Sequence, residues 1–153
     1  MAGKEGIDFY LKVYDLFPHL NKQHLSRIAG FEIEAIWHTA IEVDGDEYFF
    51  GKGIIKMDKN VMYGTGAFIE KIYMGRHKTE KKEFEEFLNV LNESLFSHDK
   101  YHVLNHNCNH FTNFLSNHFF KRDIPKKILE LAEKGKDSKI VSFIFNNKSQ
   151  FNQ

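Results

Sequence analysis

An Asp-Gly pair at residues 44 and 45 is the feature that most constrains how this 153-residue chain can fold. It separates two stretches rich in β-branched and aromatic residues, 36–43 and 46–50. Asp-Gly between such stretches is typical of a two-residue type I′ hairpin turn. This turn pairs Val43 with Asp46, so every earlier residue of the first strand has one defined partner and one defined sheet face.

The hairpin register assigns His38 and Trp37 to opposite faces of the predicted sheet. Ala40 lies on the face of His38, and Gly51 is its predicted partner on the neighbouring strand. Because both residues are small, we expect a space beside the imidazole that a side chain from another element can enter. A catalytic histidine needs such a space. Trp37 is a candidate wall of a substrate groove, with burial in the core as the alternative.

Cys108 is the only cysteine of the chain and lies where the polar segment 105–113 leads into a predicted amphipathic helix. The unpaired N–H groups of a first helical turn stabilise anions, and such a position lowers a cysteine pKa from ~8.5 to about 3.5–7.5. A lone cysteine is otherwise often an inert buried residue, but its asparagine neighbours favour a nucleophile here. Asn107 and Asn109 are candidate substrate-binding residues, with helix capping as the alternative.

The chain has nine histidines, and one of them would be the base that activates Cys108. His102, His106 and His110 are nearer in sequence to Cys108, but His38 is the residue with a predicted space beside it. The three nearby histidines and the cysteine are zinc-ligand types. Ligands that lie so close together at the start of one helix cannot easily surround a zinc ion with tetrahedral geometry. We therefore predict no metal and no cofactor, and the pattern gives no third member of a triad.

The charge balance and the composition argue against some classes of binding partner. The 21 Lys and Arg residues balance 21 Asp and Glu residues, so no bulk field attracts the chain to nucleic acid or anionic membranes. The longest apolar stretches are far shorter than the ~20 residues that span a bilayer. The N-terminus lacks the apolar core of a signal peptide, and one cysteine cannot form an internal disulfide. We expect a soluble, intracellular protein without a nucleic-acid partner or a membrane span.

The remaining patterns predict one domain that mixes strands and helices. They comprise a strand over 8–16, a helix from Asn21 to Ala29, short strands near 54–55 and 68–73, and helices after Thr79, Asn107 and Pro125. A hydrophobic content of 42% is enough for a single core of this size. We expect the domain to cover residues 1–138, and an Asn- and Gln-rich tail with little order to cover 139–153.

Three segments of the chain, 9–16, 36–51 and 107–113, can be compared with known families by their residues, their order and their spacing. The set resembles the PPPDE family, the desumoylating isopeptidases. The resemblance implies an α+β, circularly permuted papain-like cysteine peptidase fold, in which a small antiparallel sheet packs with helices. In this permuted order the histidine precedes the cysteine, as His38 precedes Cys108.

The resemblance also implies a reaction and its partners. His38 and Cys108 would form a catalytic dyad that cleaves a ubiquitin-like modifier, SUMO or ubiquitin, from the lysine of a conjugated protein. Removal of S-acyl groups such as palmitoyl by the same dyad is one alternative, and a non-catalytic modifier-binding module is another. The resemblance further implies the cytoplasm, with or without the nucleus, and a homodimer. An amphipathic helix is equally explained by an intramolecular core, so the oligomeric state stays open.

Overall fold

The computed structural model describes residues 5–58, 60 and 64–147, without the side chain of Phe145. Its strands are β1 (Ile7–Asp15), β2 (Trp37–Val43), β3 (Asp46–Gly51), β4 (Gly53–Lys56) and β5 (Ala67–His77). Its helices are α1 (Lys22–Ala29), α2 (Lys81–Asn92), α3 (Cys108–Phe120), α4 (Lys126–Gly135) and α5 (Lys139–Asn146), with a 3₁₀ turn at His98–Lys100. No helix in this part of the chain is long and apolar enough to cross a membrane.

The strands form one antiparallel sheet in the order β4-β3-β2-β1-β5. Helix α3 packs against β2, β3 and β5, so one face of the sheet is covered by helix. The predicted α+β class, with a small antiparallel sheet packed with helices, is confirmed. The strand that carries the histidine precedes the helix that carries the cysteine, as the permuted order requires.

The β2–β3 hairpin forms in the predicted register. Val43 pairs with Asp46, and the two turn residues between them, Asp44 and Gly45, have φ values of 51° and 84°. Positive φ at both central positions defines the type I′ turn, whose twist matches that of the flanking strands. The turn therefore sets the face of β2 on which His38 lies.

Strand β1 lies between β2 and β5, and β5 forms an edge of the sheet. The sequence predicts only a short strand near 68–73, whereas β5 continues to His77. Gly75 weakens the strand pattern in the sequence, but it has a structural reason. Its φ is 141°, and a Cβ added there would lie 2.7 Å from the ring of Phe120. Because glycine has no Cβ, the ring of Phe120 in α3 can pack against the edge strand at this position.

Phenylalanine rings fill the core between the sheet and the helices α2 and α3. The ring centroid of Phe9 in β1 lies 5.3 Å from that of Phe84 in α2 and 4.7 Å from that of Phe119 in α3. Phe111 and Leu115 of α3 are fully buried. Each such side chain contributes about 1.5–3 kcal/mol when it is fully buried. Phe84, Leu88 and Leu91 form the buried face of α2.

The segment from Lys139 differs from the expected tail, because Lys139–Asn146 forms helix α5. Helix α5 packs against α1 and α4, and its Val141 and Ile144 are buried. A helix of eight residues is marginal in isolation, so its formation depends on tertiary contacts that the local sequence does not reveal. The part of the expected tail beyond residue 147 lies outside the described residues.

Asp15 joins three segments where β1 ends. Its Oδ1 accepts hydrogen bonds from the backbone amides of Phe17 (3.1 Å) and Ile36 (3.0 Å). Its Oδ2 lies 2.7 Å from Nζ of Lys22 in α1. Ile36 directly precedes β2, so the Asp15 carboxylate fixes the start of the strand in which His38 is the second residue.

We expect Asp15→Ala to lower the free energy of unfolding by about 3 kcal/mol, because two buried amides and Lys22 lose their acceptor. Asp15→Asn keeps an acceptor oxygen of the same shape and should lose clearly less. Urea unfolding of the three proteins measures the difference. Equal losses for the two variants would show that the charge of Asp15, rather than its bonds to the two amides, stabilises this junction.

Candidate active site

Strand β2 and helix α3 bring His38 and Cys108 together. His38 is the second residue of β2 and Cys108 is the first residue of α3, and His38 Nδ1 lies 3.1 Å from Cys108 Sγ. Only 4% of His38 and 3% of Cys108 is exposed. This distance allows a proton to pass between the thiol and the imidazole, which is the arrangement that activates a sulfur nucleophile.

The histidines nearer to Cys108 in sequence make other contacts. His106 Nε2 lies 2.7 Å from the carbonyl oxygen of Leu95, and its ring stacks on Phe96 with centroids 4.6 Å apart. His102 Nδ1 accepts the backbone amides of residues 104 and 105. Within residues 5–58, 60 and 64–147, no group of three His, Cys, Asp or Glu side chains is arranged to hold a metal ion.

Two aromatic rings flank the imidazole of His38 on its own face of the sheet. The ring of Tyr14 in β1 lies 5.6 Å away and the ring of Phe49 in β3 lies 5.4 Å away, measured between centroids. Ala40 packs with the same two rings, and a Cβ on Gly51 would lie 3.3 Å from Phe49. The small residues thus leave room beside the imidazole, and the rings of Tyr14 in β1 and Phe49 in β3 occupy this space.

Tyr14 is itself held by polar contacts. Its hydroxyl donates a hydrogen bond of 2.7 Å to Glu47 Oε2, and Lys12 Nζ lies 3.0 Å from Glu47 Oε1. Burial, and then the bond to Glu47, raises the pKa of Tyr14 far above its ordinary value, so the phenol stays protonated and remains a donor. Sequence reasoning missed Tyr14. Tyr14 lies opposite His38 because β1 pairs with β2, and this pairing between distant segments cannot be read from the local sequence.

Asn107 caps helix α3. Its Oδ1 accepts the backbone amides of Asn109 (2.9 Å) and His110 (3.3 Å), and its Nδ2 donates to the Val103 carbonyl (2.8 Å). His110 Nδ1 in turn accepts the amide of Asn107 at 2.9 Å, which completes a capping box. These contacts are the capping role that the sequence offered as an alternative. A contact between Asn107 and substrate stays a prediction.

The side chain of Asn109 connects α3 to β2. Its Nδ2 donates to the carbonyl of Trp37 (3.1 Å), and its Oδ1 accepts the hydroxyl of Thr39 (2.7 Å). Thr39 Oγ1 also lies 2.7 Å from Thr112 Oγ1 of α3. Asn109 is 3% exposed, so its amide is engaged inside the fold. A substrate contact by Asn109 likewise stays a prediction.

Trp37 lines a cleft of about 160 Å³ between residues 31–37 and helix α4. Lys127 of α4 lies over the Trp37 ring, with Nζ 5.1 Å from the centroid, and also pairs with Glu34 at 3.3 Å. The charged residues that line the cleft are Glu32, Glu34, Lys127, Glu130 and Lys134. Trp37 is only 5% exposed and belongs to the hydrophobic core, which is the alternative that the sequence offered. A contact between Trp37 and substrate stays a prediction.

The family follows from these features and from a comparison with known proteins. A thiol at a helix start paired with an imidazole from a strand is an arrangement found in cysteine peptidases. A model of the PPPDE peptidase domain matches residues 7–149. The chain belongs to the PPPDE peptidase family and is therefore a cysteine peptidase. The match includes helix α5, which the sequence alone assigned to a tail.

The similar proteins carry a more specific name. Human desumoylating isopeptidase 1 is 36% identical over 121 residues, which cover 79% of this chain and 72% of that protein. The protein of the same name from Rattus norvegicus is 35% identical over 121 residues, with the same coverage. That from Xenopus laevis is 34% identical over 123 residues, again covering 79% and 72% of the two chains. The resemblance seen in the three sequence segments is thus confirmed along most of the chain.

His110 makes the stability of α3 depend on pH. Burial, followed by the charges of His106 and Lys136, holds the pKa of His110 below its ordinary value of 6.5. Between the lowered pKa and 6.5 the unfolded chain binds more protons than the folded chain, so stability falls as the pH falls through this window. We expect the melting temperature to drop from pH 7 to pH 5, because a protonated Nδ1 cannot accept the amide of Asn107.

A variant that keeps the cap but does not titrate isolates this effect. Glutamine suits the third position of a capping box, so His110→Gln should make the melting temperature depend less on pH. Burial also lowers the pKa of His118 at the other end of α3, away from the cap, so His118→Gln measures how much a lowered histidine pKa contributes to the pH dependence without a capping bond. If His110→Gln leaves the pH dependence unchanged, the capping bond does not depend on the charge of His110.

Proposed function

We propose that this protein is a cysteine isopeptidase that removes a ubiquitin-like modifier of the SUMO type from the lysine of a conjugated protein. The distance of 3.1 Å between His38 Nδ1 and Cys108 Sγ is the observation that carries the proposal. The similar proteins are named desumoylating isopeptidases, and these names support SUMO over ubiquitin. In this proposal Cys108 is the nucleophile and His38 is the acid and base.

The first half of the reaction transfers the modifier to the enzyme. The Cys108 proton moves to His38 Nδ1, and the resulting thiolate is stabilised by the imidazolium and by the start of α3. The sulfur attacks the carbonyl carbon of the C-terminal glycine of the modifier. The Cys108 backbone N–H is the first proposed donor to the oxyanion that forms. As the carbon–nitrogen bond breaks, His38 gives its proton to the departing lysine amine.

The second half of the reaction releases the modifier. A thioester now joins Cys108 to the modifier, and His38 is neutral again. His38 takes a proton from a water molecule, which attacks the thioester carbonyl. The carbon–sulfur bond breaks, the modifier leaves with a free carboxylate, and the thiolate returns to its pairing with the imidazolium.

The aromatic rings of Tyr14 and Phe49 help to orient the imidazole of His38. A nucleophile needs a base whose orientation is fixed. The two rings lie 5.6 Å and 5.4 Å from the His38 imidazole, and Tyr14 is anchored by Glu47. The shape of these two rings thus helps to keep the imidazole aligned in this proposal.

The S-acyl thioesterase alternative would be favoured by an apolar channel beside Cys108. The cleft lined by Trp37, the residue before His38, has charged side chains such as Glu34, Lys127 and Lys134 along its walls; its lining does not include Cys108. Walls of this kind suit a polypeptide tail better than an acyl chain. We therefore propose peptide-like substrates, and we keep the acyl reporter as an arm of the experiment.

The remaining parts of the proposal rest on the family resemblance. The partners are conjugates of SUMO or ubiquitin. The location is the cytoplasm, with the nucleus as a second site. The functional unit is a homodimer, which light scattering at micromolar concentration would measure directly.

The decisive experiment offers the protein SUMO and ubiquitin that carry a C-terminal electrophile, together with an S-acyl reporter. We expect a covalent adduct with the SUMO probe, mapped to Cys108 by mass spectrometry. Cys108→Ala should form no adduct and should reduce hydrolysis of a SUMO conjugate to background, while its melting temperature stays near that of the wild type. Substantial hydrolysis by this variant would overturn the assignment of the nucleophile, and acyl turnover without an adduct would favour the thioesterase.

A second experiment tests the dyad itself. We expect the alkylation rate of Cys108 to titrate with a midpoint below the ~8.5 of a free thiol. His38→Gln should raise this midpoint, because the sulfur loses its positive partner, and should slow isopeptide cleavage by about 10²–10⁴-fold. Thioester cleavage should suffer less, because a thiolate leaves without a proton. A wild-type rate without pH dependence below pH 8 would contradict the enzyme and support a non-catalytic binding module.

A further inference from the structure

We propose that Asn109 is a positioning residue that sets the geometry between Cys108 and His38. This inference rests on the proposed function of the two residues as a dyad. Asn109 directly follows Cys108 in the chain, and its side chain binds the residues on both sides of His38. It therefore connects the nucleophile to the base through a single buried amide.

The contacts of Asn109 fix the strand on both sides of the histidine. Its Nδ2 holds the carbonyl of Trp37 at 3.1 Å, and its Oδ1 holds the hydroxyl of Thr39 at 2.7 Å. His38 is the residue between these two anchors. With both neighbours held by the first turn of α3, the backbone of His38 cannot shift along β2 or tilt away from the helix without breaking one of the bonds.

The same amide also reaches the nucleophile. Cys108 Sγ lies 3.8 Å from Asn109 Oδ1, a weak contact in which the thiol is the donor. Thr112, one turn further along α3, has its hydroxyl 2.7 Å from the Thr39 hydroxyl and 3.2 Å from the Asn109 carbonyl, and its single O–H donates to one of these two groups. All of these groups are buried, so water cannot readily replace a bond that is lost.

An amide is the side chain that these surroundings require. The Trp37 carbonyl needs a donor and the Thr39 hydroxyl is given an acceptor, and asparagine supplies one of each at the right length. An aspartate of the same shape has no donor for the carbonyl and would place a negative charge beside the thiolate. Alanine supplies neither bond. The two substitutions therefore perturb the site in different and measurable ways.

The experiment measures the pH profile of Cys108 alkylation and the kcat and KM for a SUMO conjugate. In Asn109→Ala we expect kcat to fall by about 100-fold, the loss typical of a misplacement near 1 Å, with a smaller change in KM. The alkylation midpoint should rise toward that of a free thiol, because the sulfur and the imidazole separate. In Asn109→Asp the midpoint should rise further, because the new carboxylate disfavours the thiolate.

A pair of variants at Thr39 keeps the test valid if Asn109→Ala does not fold. Thr39→Val has the same shape without the hydroxyl, and it should shift the midpoint and kcat in the same direction as Asn109→Ala. Thr39→Ser keeps the hydroxyl and should restore both toward wild-type values. Ser116→Ala is the control for stability alone, because Ser116 is buried on the same helix and donates to the Arg122 carbonyl at 2.6 Å.

The outcomes separate this proposal from the proposed function. If Asn109→Ala and Thr39→Val lower the melting temperature as Ser116→Ala does, but keep the wild-type midpoint and kcat, Asn109 is only structural and the positioning role is refuted. If the wild-type cysteine itself titrates as a free thiol and the protein hydrolyses no conjugate, the proposed function fails before Asn109 is considered. Parallel shifts in the Asn109 and Thr39 variants, with Thr39→Ser as the rescue, support the positioning role.

Discussion

The placement of strand β2 against the first turn of α3 is the constraint on which the rest of the site depends. The Asp-Gly turn fixes one end of β2 through the hairpin register, and the Asp15 carboxylate fixes the other through the amide of Ile36. Helix α3 then meets a strand whose position is already determined. Neither His38 nor Cys108 can be moved without disturbing an element that is held at several points.

The pair formed by His38 and Cys108, the proposed dyad, is held by two kinds of interaction that act from opposite sides of β2. On the face of His38, the rings of Tyr14 and Phe49 limit the rotation of the imidazole. On the face of Thr39, polar bonds to α3 hold the backbone. Because successive residues of a strand point to opposite faces, one short stretch of β2 provides both the side chain of His38, proposed to be catalytic, and its support.

Local signals in the sequence predicted the parts of the fold that local chemistry determines. The turn pair predicted the hairpin, the pattern from Asn21 to Ala29 predicted α1, and Asn107 predicted the start of α3. The pairing of β1 with both β2 and β5 could not be predicted, since it joins segments distant in the chain. The same limit hid Tyr14, the side chain of β1 that lies beside His38.

Apolar packing and polar bonds have separable roles in this protein. The phenylalanine core supplies most of the stabilisation, but apolar contacts are non-directional and tolerate small shifts between a helix and a sheet. Buried polar groups do not tolerate such shifts, because each unpaired group costs about 1–3 kcal/mol. The bonds among Asn109, Thr39, Thr112 and the Trp37 carbonyl therefore select one position of α3 on the sheet from those that the core allows. In that position the sulfur lies within hydrogen-bonding distance of the imidazole.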